Sequence, residues 1–267
     1  MVPSSSGILN KVISLTRHFL TAGNEHSVHS PFIFKLLMEG IYVKRNEPVF
    51  DKIELVRKQL LSDDREIEVL DLGAGSSFDG RLNKRSIADI TRKFAKSPHH
   101  CRFLYRMTEQ LQPKIMIELG TSLGISAMYQ SAGNSNGKLY TLEGCPQTSS
   151  AARENFSKNN YNNINCITGN FDDTLPELLG ELKSFDYAYI DGNHTREATL
   201  NYFQLLKKHM HQESVIIFDD IYWSEGMKLA WQQIKSDPDV TISIDFYQFG
   251  VVFFNKKYTR QAFKLRL

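Results

Sequence analysis

The sequence is poor in cysteine, nearly balanced in charge and free of long apolar runs. Its three cysteines (Cys101, Cys145 and Cys166) include no CxxC pair, so neither a disulfide framework nor a zinc knuckle is expected. The formal net charge is only +2 and basic residues are spread along the chain, which makes a nucleic-acid partner unexpected. No signal peptide is recognisable, and no segment approaches the roughly 18 apolar residues of a membrane span. We therefore expect a cytoplasmic protein without membrane contact.

From Ile115 onward, short β-rich runs alternate with amphipathic stretches. This alternation is typical of a parallel sheet covered by helices. The predicted strands are 114–118, 138–143, 163–168, 185–190 and 213–219. The predicted helices begin near Ser122 and then cover about 147–159, 174–182, 197–209 and 225–236.

Two further β-rich runs, 240–246 and 249–254, have only Tyr247 and Gln248 between them. This link is too short for a crossover helix, so the two runs must pair as an antiparallel hairpin. Five helix-linked strands closed by such a pair resemble the class I methyltransferase sheet rather than the dinucleotide dehydrogenase sheet, whose last strand is parallel. The expected fold class is α/β, with a Rossmann-like, seven-stranded, mostly parallel sheet and an antiparallel last strand.

Residues 1–109 differ from the remainder because several of their segments have helical apolar spacing. A chain of 267 residues suits one α/β domain plus an extension. We therefore expect a mainly helical N-terminal extension over 1–109 and a cofactor-binding domain over 110–267. The extension is expected either to cover the acceptor site or to pack on the sheet or build a homodimer.

Two segments have the glycine pattern of a cofactor loop: EVLDLGAGSS (68–77) and IMIELGTSLGIS (115–126). A nucleoside-binding unit needs a second strand ending in an acid about 20 residues after the first loop, where the carboxylate can bind the ribose hydroxyls. No strand is predicted between Asp71 and Lys114, whereas KLYTLE follows the second segment and ends at Glu143. The second segment is the predicted cofactor loop. The first is predicted to be a turn of the extension or a loop that contacts the acceptor.

The predicted loop suits a positively charged ligand better than a pyrophosphate. Dinucleotide loops use three glycines and the bare amides of a helix N-terminus. This loop has only Gly120 and Gly124, and Glu118 adds a carboxylate that favours the ammonium and sulfonium of S-adenosylmethionine. Gly120 would let the methionine part lie on the backbone, and Gly124 would allow close helix packing.

The segment IELGTSLGIS resembles the first motif of the catechol and caffeoyl-CoA O-methyltransferase group and its bacterial small-molecule relatives. The resemblance covers about residues 110–267 and implies a class I S-adenosylmethionine-dependent methyltransferase. It implies that the methionine part is surrounded by Glu118, Gly120, Thr121, Gly124 and Ser126, and that Glu143 holds the ribose.

A second motif, GNFDDTLPEL, is similar to the stretch of this family that flanks the adenine. It implies that Asn170, Phe171 and Asp172 lie at the purine. Phe171 could supply an apolar face for it. The same residues also predict a helix start, with Asp172 or Asp173 as the N-cap.

Three carboxylates are expected at one rim of the sheet. FDYAYIDGNHT places Asp191 at the end of the fourth strand, and IIFDD places Asp219 and Asp220 at the end of the fifth. Converging carboxylates are costly unless a cation or protons neutralise them. In metal-dependent members of the family an Asp and an Asp-Asn pair hold a divalent ion here. The resemblance therefore implies Asp191, Asp219 and Asp220 as ligands for Mg²⁺ or another divalent cation.

The metal requirement stays open, because Asp220 stands where the catechol type has Asn, and all three acids could instead be N-caps or surface carboxylates. Where the family has a Lys three residues after the metal Asp, this chain has His194. A histidine is a plausible base for an acceptor hydroxyl. His194 and Asp191 are the predicted catalytic residues, and Asp191 is also counted among the cofactor-binding residues.

The predicted function is S-adenosylmethionine-dependent methylation of a small-molecule acceptor, most simply on oxygen, with or without a metal. No NPPY-like tetrapeptide follows the fourth strand, which lowers the expectation of a nucleic-acid substrate. The alternatives are a non-catalytic adenosyl-binding protein and a nicotinamide-dependent oxidoreductase. The sequence does not identify the acceptor. Tyr42, Phe78, Arg81 and Phe103 suggest only something partly aromatic or polar.

Overall fold

A computed structural model describes residues 5–70 and 82–267. Within these ranges the α-helices are α1 (Ser5–Thr21), α2 (Pro31–Leu36), α3 (Pro48–Leu61), α4 (Ile87–Phe94), α5 (Pro98–Leu111), α6 (Ile125–Gly133), α7 (Pro146–Lys158), α8 (Phe171–Leu182), α9 (Arg196–Lys207) and α10 (Glu225–Ser236). The strands are β1 (Glu66–Leu70), β2 (Leu82–Ser86), β3 (Ile115–Leu119), β4 (Lys138–Glu143), β5 (Ile164–Thr168), β6 (Phe185–Ile190), β7 (Met210–Asp219), β8 (Ile242–Asp245), β9 (Phe249–Phe253) and β10 (Gln261–Lys264). A 3₁₀ turn covers Glu25–Ser27, and a π-helical turn covers Leu37–Ile41.

The central sheet has the strand order β10-β8-β9-β7-β6-β3-β4-β5. Strand β9 is antiparallel to both of its neighbours, and the other pairs are parallel. The chain moves from β3 outward to β4 and β5, then returns to place β6 on the other side of β3. Ligands of open α/β sheets bind at such a reversal, outside the carboxyl ends of the strands.

Side chains of β3 alternate between the two faces of the sheet. Met116 belongs to the apolar cluster on one face, and Ile117 and Leu119 belong to the cluster on the other. Because successive residues of a strand point to opposite faces, Glu118 shares the face of Met116. Helix α6 packs on this face, so the carboxylate of Glu118 lies beneath it.

The predicted α/β fold is confirmed, with one more strand than expected. The five helix-linked strands and the β8–β9 hairpin lie where the sequence predicts them. The eighth strand, β10, adds to β8 at the sheet edge. It was missed because QAFK is four residues long, with little of the apolar alternation that marks a strand.

The prediction of no strand between Asp71 and Lys114 is wrong, because β2 lies there. It pairs antiparallel with β1 in a separate two-stranded sheet. Its sequence, LNKRS, is too polar to have been recognised as a strand. The hairpin is not a βαβ unit, however, and β3, not β1, occupies the centre of the main sheet.

The N-terminal part of the chain is mainly helical and packs directly on the sheet domain. Helix α5 runs through Leu111, past the predicted boundary at 109. It lies so close to α6 that a Cβ on Gly133 would be 2.0 Å from Oγ1 of Thr108. Across residues 5–70 and 82–267, no helix is both long enough and apolar enough to cross a membrane.

Candidate active site

The loop after β3 requires glycine at its first position. Gly120 has φ of +102°, and a Cβ there would lie 2.1 Å from the carbonyl oxygen of Asp191. The amide of Asp191 in turn donates to the carbonyl of Leu119. The loop after β3 and the end of β6 are therefore in direct backbone contact.

Gly124 lets α6 approach α7. Its φ is +87°, and a Cβ would lie 2.4 Å from the ring of Phe156. The close helix packing predicted for Gly124 is confirmed. This close contact between Gly124 and Phe156 fixes the position of the N-terminus of α6 relative to α7.

Glu118 is fully buried and forms hydrogen bonds with its own domain. Its Oε1 accepts from Ser126 Oγ and Gln130 Nε2, each at 2.7 Å, and its Oε2 accepts from Thr141 Oγ1 at 2.6 Å. Burial raises the pKa of Glu118 to about 7, against the opposing effect of these hydrogen bonds. The geometry gives Glu118 a supporting role beneath the loop, and its predicted contact with the methionine part stays a prediction.

Thr121 and Ser126 belong to the same interior network. Thr121 Oγ1 lies 2.6 Å from Thr141 Oγ1, and both Thr121 and Ser126 are buried. Their side chains face the sheet, so a ligand above the loop would meet mainly the loop backbone at these positions.

Glu143 ends β4 and holds the loop after β3. Its Oε2 accepts a 2.8 Å hydrogen bond from the amide of Ser122, and its Oε1 accepts one of 3.0 Å from the amide of Cys145. Burial raises the pKa of Glu143 in spite of these hydrogen bonds. Ser122 has φ of +48°, a left-handed conformation that is costly for a residue other than glycine. The carboxylate thus stabilises a strained turn at the place predicted for the ribose.

Residues 170–172 begin α8 beside the end of β5. The N-cap is Asn170, whose Oδ1 accepts from the amide of Asp172 at 3.1 Å. The expected cap at Asp172 or Asp173 is therefore wrong; both lie in the first turn, where acids favour the helix dipole. The Phe171 ring packs against Gly192: a Cβ added to Gly192 would lie only 2.6 Å from the ring. Phe171 thus lies beside the segment that follows Asp191.

The three predicted carboxylates converge, and a lysine from the N-terminal part lies among them. Lys96 Nζ is 3.1 Å from Asp191 Oδ1 and 3.6 Å from Asp220 Oδ2, and it donates a short hydrogen bond to Asp219 Oδ2. Lys96 stands in the link between the end of α4 and Ser97, the N-cap of α5. Converging carboxylates are costly unless a cation or protons neutralise them, and here Lys96 supplies a cation.

The charges of this cluster stabilise one another. Burial alone would lower the pKa of Lys96, but Asp191 and Asp220 outweigh it and the pKa is raised. Burial alone would raise the pKa of Asp191, but Lys96 and then His194 outweigh it and the pKa is lowered. The cluster therefore holds the ammonium of Lys96 against the ionised carboxylate of Asp191.

Three further side chains orient the acids. Tyr189 donates its hydroxyl to Asp191 Oδ2 at 3.1 Å. Gln248 Nε2 donates to Asp219 Oδ1 at 3.0 Å and to Asp220 Oδ1 at 2.6 Å. His194 Nε2 lies 3.5 Å from Asp191 Oδ1, with its ring about a quarter exposed. Of these groups, His194 is placed to meet a molecule entering from solvent.

Two of the three predicted acids, together with His194, have the spacing of a divalent metal site. Asp191, His194 and Asp220 each offer one ligand atom, and these atoms lie within 4.8 Å of one another, whereas the predicted ligand Asp219 is not part of this grouping. The carboxylate oxygens suit Mg²⁺. The Lys96 ammonium, however, lies among the same oxygens, so the residues as arranged do not fit a metal ion in addition to Lys96.

Sequence reasoning missed Lys96, Gln248 and Tyr189. No motif marks Lys96, and the only signal was the excess of negative charge at the rim. Of the residues suggested for the acceptor, Phe103 stacks on Phe249 in the core and Tyr42 donates to the carbonyl of Arg266. Phe78 and Arg81 lie outside the described residues.

The first glycine segment, from Asp71 to Ser77, also lies outside the described residues, so its predicted role is untested. The strand that leads to it, β1, ends beside the turn that follows β4. The amide of Leu70 donates to Cys145 Sγ at 3.4 Å, and Cys145 follows Glu143 by two residues.

Comparison with known proteins agrees with this geometry. Residues 117–221 match the family model described as a methyltransferase domain. The matched segment includes Glu118, Glu143 and all three acids, Asp191, Asp219 and Asp220, whereas Lys96 and Gln248 lie outside it.

The chain is similar to two curated O-methyltransferase sequences. A catechol O-methyltransferase of Niastella koreensis is 30% identical over 128 residues, which are 47% of this chain and 57% of that protein. O-methyltransferase imqG of Aspergillus flavus is 26% identical over 163 residues, which are 59% of this chain and 63% of that protein. The chain thus covers less than two thirds of the length of these curated relatives.

Solved structures share the fold of this chain. An O-methyltransferase from Bacillus cereus in complex with SAH matches 79% of this chain and 93% of its own, with a TM-score of 0.55 at 18% identity. O-methyltransferase TomG from Streptomyces achromogenes, in complex with SAM, matches 63% of this chain and 87% of its own, also with a TM-score of 0.55 at 18% identity. At this identity the likeness shows the common fold.

Proposed function

We propose that this protein transfers a methyl group from S-adenosylmethionine to a hydroxyl of a small molecule. The observation that carries the proposal is the position of two acids on either side of the glycine loop. Glu143 ends β4 and Asp191 follows β6, the two strands that flank β3. One acid suits the ribose hydroxyls, and the other, with its neighbours, supplies negative charge for a cationic methyl donor.

The residues of the crevice fit S-adenosylmethionine. The Gly120 backbone has no room for a side chain on the side facing Asp191, and its loop is held by Glu143. When bound, S-adenosylmethionine would supply a methyl group already activated by the positive sulfonium. The loop with Glu118, Gly120, Thr121, Gly124 and Ser126 would hold its methionine part, Glu143 its ribose, Asn170, Phe171 and Asp172 its adenine, and Asp191 its charged centre.

The acceptor proton would pass to His194. Asp191 lies 3.5 Å from Nε2 of this ring and can stabilise the imidazolium that forms. Positioning would supply most of the rate, because the methyl donor is already activated and the acceptor needs only to be aligned and deprotonated.

Metal assistance is the alternative form of this proposal. The grouping of Asp191, His194 and Asp220 within 4.8 Å favours it, and the Lys96 ammonium among the same oxygens opposes it. A divalent ion would have to displace Lys96. The metal-free form is the one we adopt.

The test is turnover with the purified full chain. S-adenosylmethionine is incubated with a panel of catechols, monophenols and sugars, and S-adenosylhomocysteine is quantified by mass spectrometry. We expect product with at least one hydroxyl acceptor, and we expect His194→Ala to lose most of the turnover while S-adenosylmethionine still binds. Binding without turnover on any acceptor would favour the non-catalytic adenosyl-binding protein. Binding of a nicotinamide cofactor instead would favour the oxidoreductase.

The homodimer, the cytoplasmic location and the absence of a nucleic-acid partner remain predictions. Light scattering coupled to size-exclusion chromatography measures the first, and cell fractionation measures the second. Retention of unlabelled nucleic acid on the purified protein, read as the ratio of absorbance at 260 and 280 nm, tests the third.

A further inference from the structure

The carboxylates of Asp191, Asp219 and Asp220, called the acid rim below, lie around a positive charge of the same chain, the ammonium of Lys96. Three carboxylates surround it: Nζ is 3.1 Å from Asp191 Oδ1 and 3.6 Å from Asp220 Oδ2, and it donates to Asp219 Oδ2. Asp219 is fully buried, and the Lys96 side chain is only 14% exposed. Converging buried carboxylates require a compensating positive charge, and here a covalently attached one lies among them.

The chain holds Lys96 in this place from both sides. The capping amide of Ala95 donates to the carbonyl of Thr91 at the end of α4, and Ser97 Oγ caps α5 by accepting from the amide of His100. Lys96 lies between these two caps, and its carbonyl accepts from Cys101 Sγ at 3.5 Å. The two helix ends thus fix the backbone on either side of Lys96 by hydrogen bonds that do not involve its ion pairs.

From this geometry we infer that Lys96 takes the place of the divalent cation at the acid rim, so that the protein binds no metal there. Gln248 completes the arrangement, because it donates to the remaining oxygens of Asp219 and Asp220. A divalent ion bound by these carboxylates would lie close to Nζ, and the repulsion between the two positive charges would be large at this burial.

Lys96 would also affect which acceptor the protein prefers, an expectation that rests on the proposed function. Nζ has three N–H groups and three carboxylates around it, of which Asp220, at 3.6 Å, is the most distant. At most one N–H, the one nearest Asp220, can therefore turn to an acceptor oxygen. A divalent ion can bind two adjacent oxygens of a diol, whereas one N–H donates to one oxygen. We expect little preference for a vicinal diol over a monohydroxy acceptor.

Metal binding is measured directly on the full chain, with Mn²⁺ as the probe and electron paramagnetic resonance of the free ion as the readout. We expect no stoichiometric binding by the wild type. Lys96→Ala removes the ammonium and leaves the three acids, so we expect it to bind Mn²⁺ at least tenfold more tightly. Lys93→Ala, which removes an exposed lysine near the end of α4, is the matched control and should behave as the wild type.

Three results would overturn the inference. The first is a wild type that binds Mn²⁺ as tightly as Lys96→Ala. The second is Lys96→Ala that binds no more Mn²⁺ than the wild type, which would mean that the acids are not a latent cation site. The third is Mn²⁺ binding that survives Asp219→Asn in the Lys96→Ala background, which would locate the ion elsewhere.

If Lys96→Ala fails to fold, the wild-type titration and Lys96→Arg, which keeps the charge, still decide, because stoichiometric binding by either one contradicts the inference. The metal titration requires no methyl transfer, so it stands even if the proposed function fails. Where turnover is found, catechol and 2-methoxyphenol are compared: similar kcat/KM supports the single-donor arrangement, and a preference of more than a hundredfold for catechol contradicts it.

Discussion

The amide of Ser122 donates a 2.8 Å hydrogen bond to Oε2 of Glu143, which joins the loop after β3 to the acid that ends β4. Glu143 thus holds the turn, and in the proposed function it would also bind the ribose. A ribose held by Glu143 would share the carboxylate with the loop amide.

Glu143→Ala should weaken S-adenosylmethionine binding by roughly 10- to 100-fold, because hydrogen bonds to a charged group contribute about 1.5–3 kcal/mol. Glu143→Gln, which keeps one acceptor oxygen, should lose less. Isothermal titration with S-adenosylmethionine and S-adenosylhomocysteine measures both. Glu177→Ala, at an exposed position of α8, is the matched control. Unchanged affinity in Glu143→Ala would refute the ribose assignment.

Gln248→Ala should lower turnover without weakening S-adenosylmethionine binding. The substitution removes the donor to Asp219 and Asp220 and leaves an oxygen of the buried Asp219 without that partner. We expect kcat to fall by roughly tenfold or more, with S-adenosylmethionine affinity within about twofold of wild type. Steady-state kinetics and calorimetry measure the two quantities. Gln232→Ala, on the exposed side of α10, should change neither. A parallel loss of affinity and kcat would show that Gln248 acts through the fold as a whole.

Glu118 should give the protein a pH-dependent stability. Burial raises the pKa of Glu118 to about 7, above 4.5, the value expected when unfolded. The folded state therefore binds more protons between these values, so the contribution of Glu118 is fully present below about pH 4.5 and is lost as the pH rises to about 7. Relative to Glu118→Gln, the wild type should lose roughly 3 kcal/mol of unfolding free energy across this window.

Urea unfolding at a series of pH values measures this difference. Because Glu177 is exposed on α8, Glu177→Gln should follow the wild type at every pH. A difference between wild type and Glu118→Gln that does not change with pH would contradict the assignment of the raised pKa to Glu118.

Gly124→Ala and Gly180→Ala should have opposite effects on the free energy of unfolding. At Gly124 the left-handed φ of +87° and the Phe156 ring, 2.4 Å from an added Cβ, both oppose a side chain, and we expect the free energy of unfolding to fall by roughly 2–5 kcal/mol. At Gly180 in α8 nothing lies within 4 Å of an added Cβ, and we expect a gain of roughly 0.5–1 kcal/mol. Chemical unfolding measures both.

A double-mutant cycle isolates the steric part at Gly124. Phe156→Ala should lower the free energy of unfolding less in the Gly124→Ala background than in the wild type, because removing the ring then also relieves its contact with the added Cβ. If the two losses of stability are strictly additive, the whole effect of Gly124→Ala comes from the backbone conformation of residue 124.

Most of the sheet could be predicted from the sequence because its signals are local. A buried parallel strand is an apolar run of five or six residues, and β4 and β7 end in the acids that the site uses. The strands β2 and β10 lack this signal, since LNKRS and QAFK carry too few apolar residues to indicate a buried face. The N-cap at Asn170 was misplaced for a similar reason: several residues in one short stretch can each cap a helix.

The sequence by itself determined the order of the elements, the glycines of the loop and the acids at the strand ends, because strand period, turn conformation and burial act between near neighbours. Only the tertiary structure decided that Glu118 points into the domain, and that Lys96 lies against Asp219, 123 residues further along the chain. That ion pair depends on how the link between α4 and α5 packs against the sheet. The local sequence around either residue does not determine such packing.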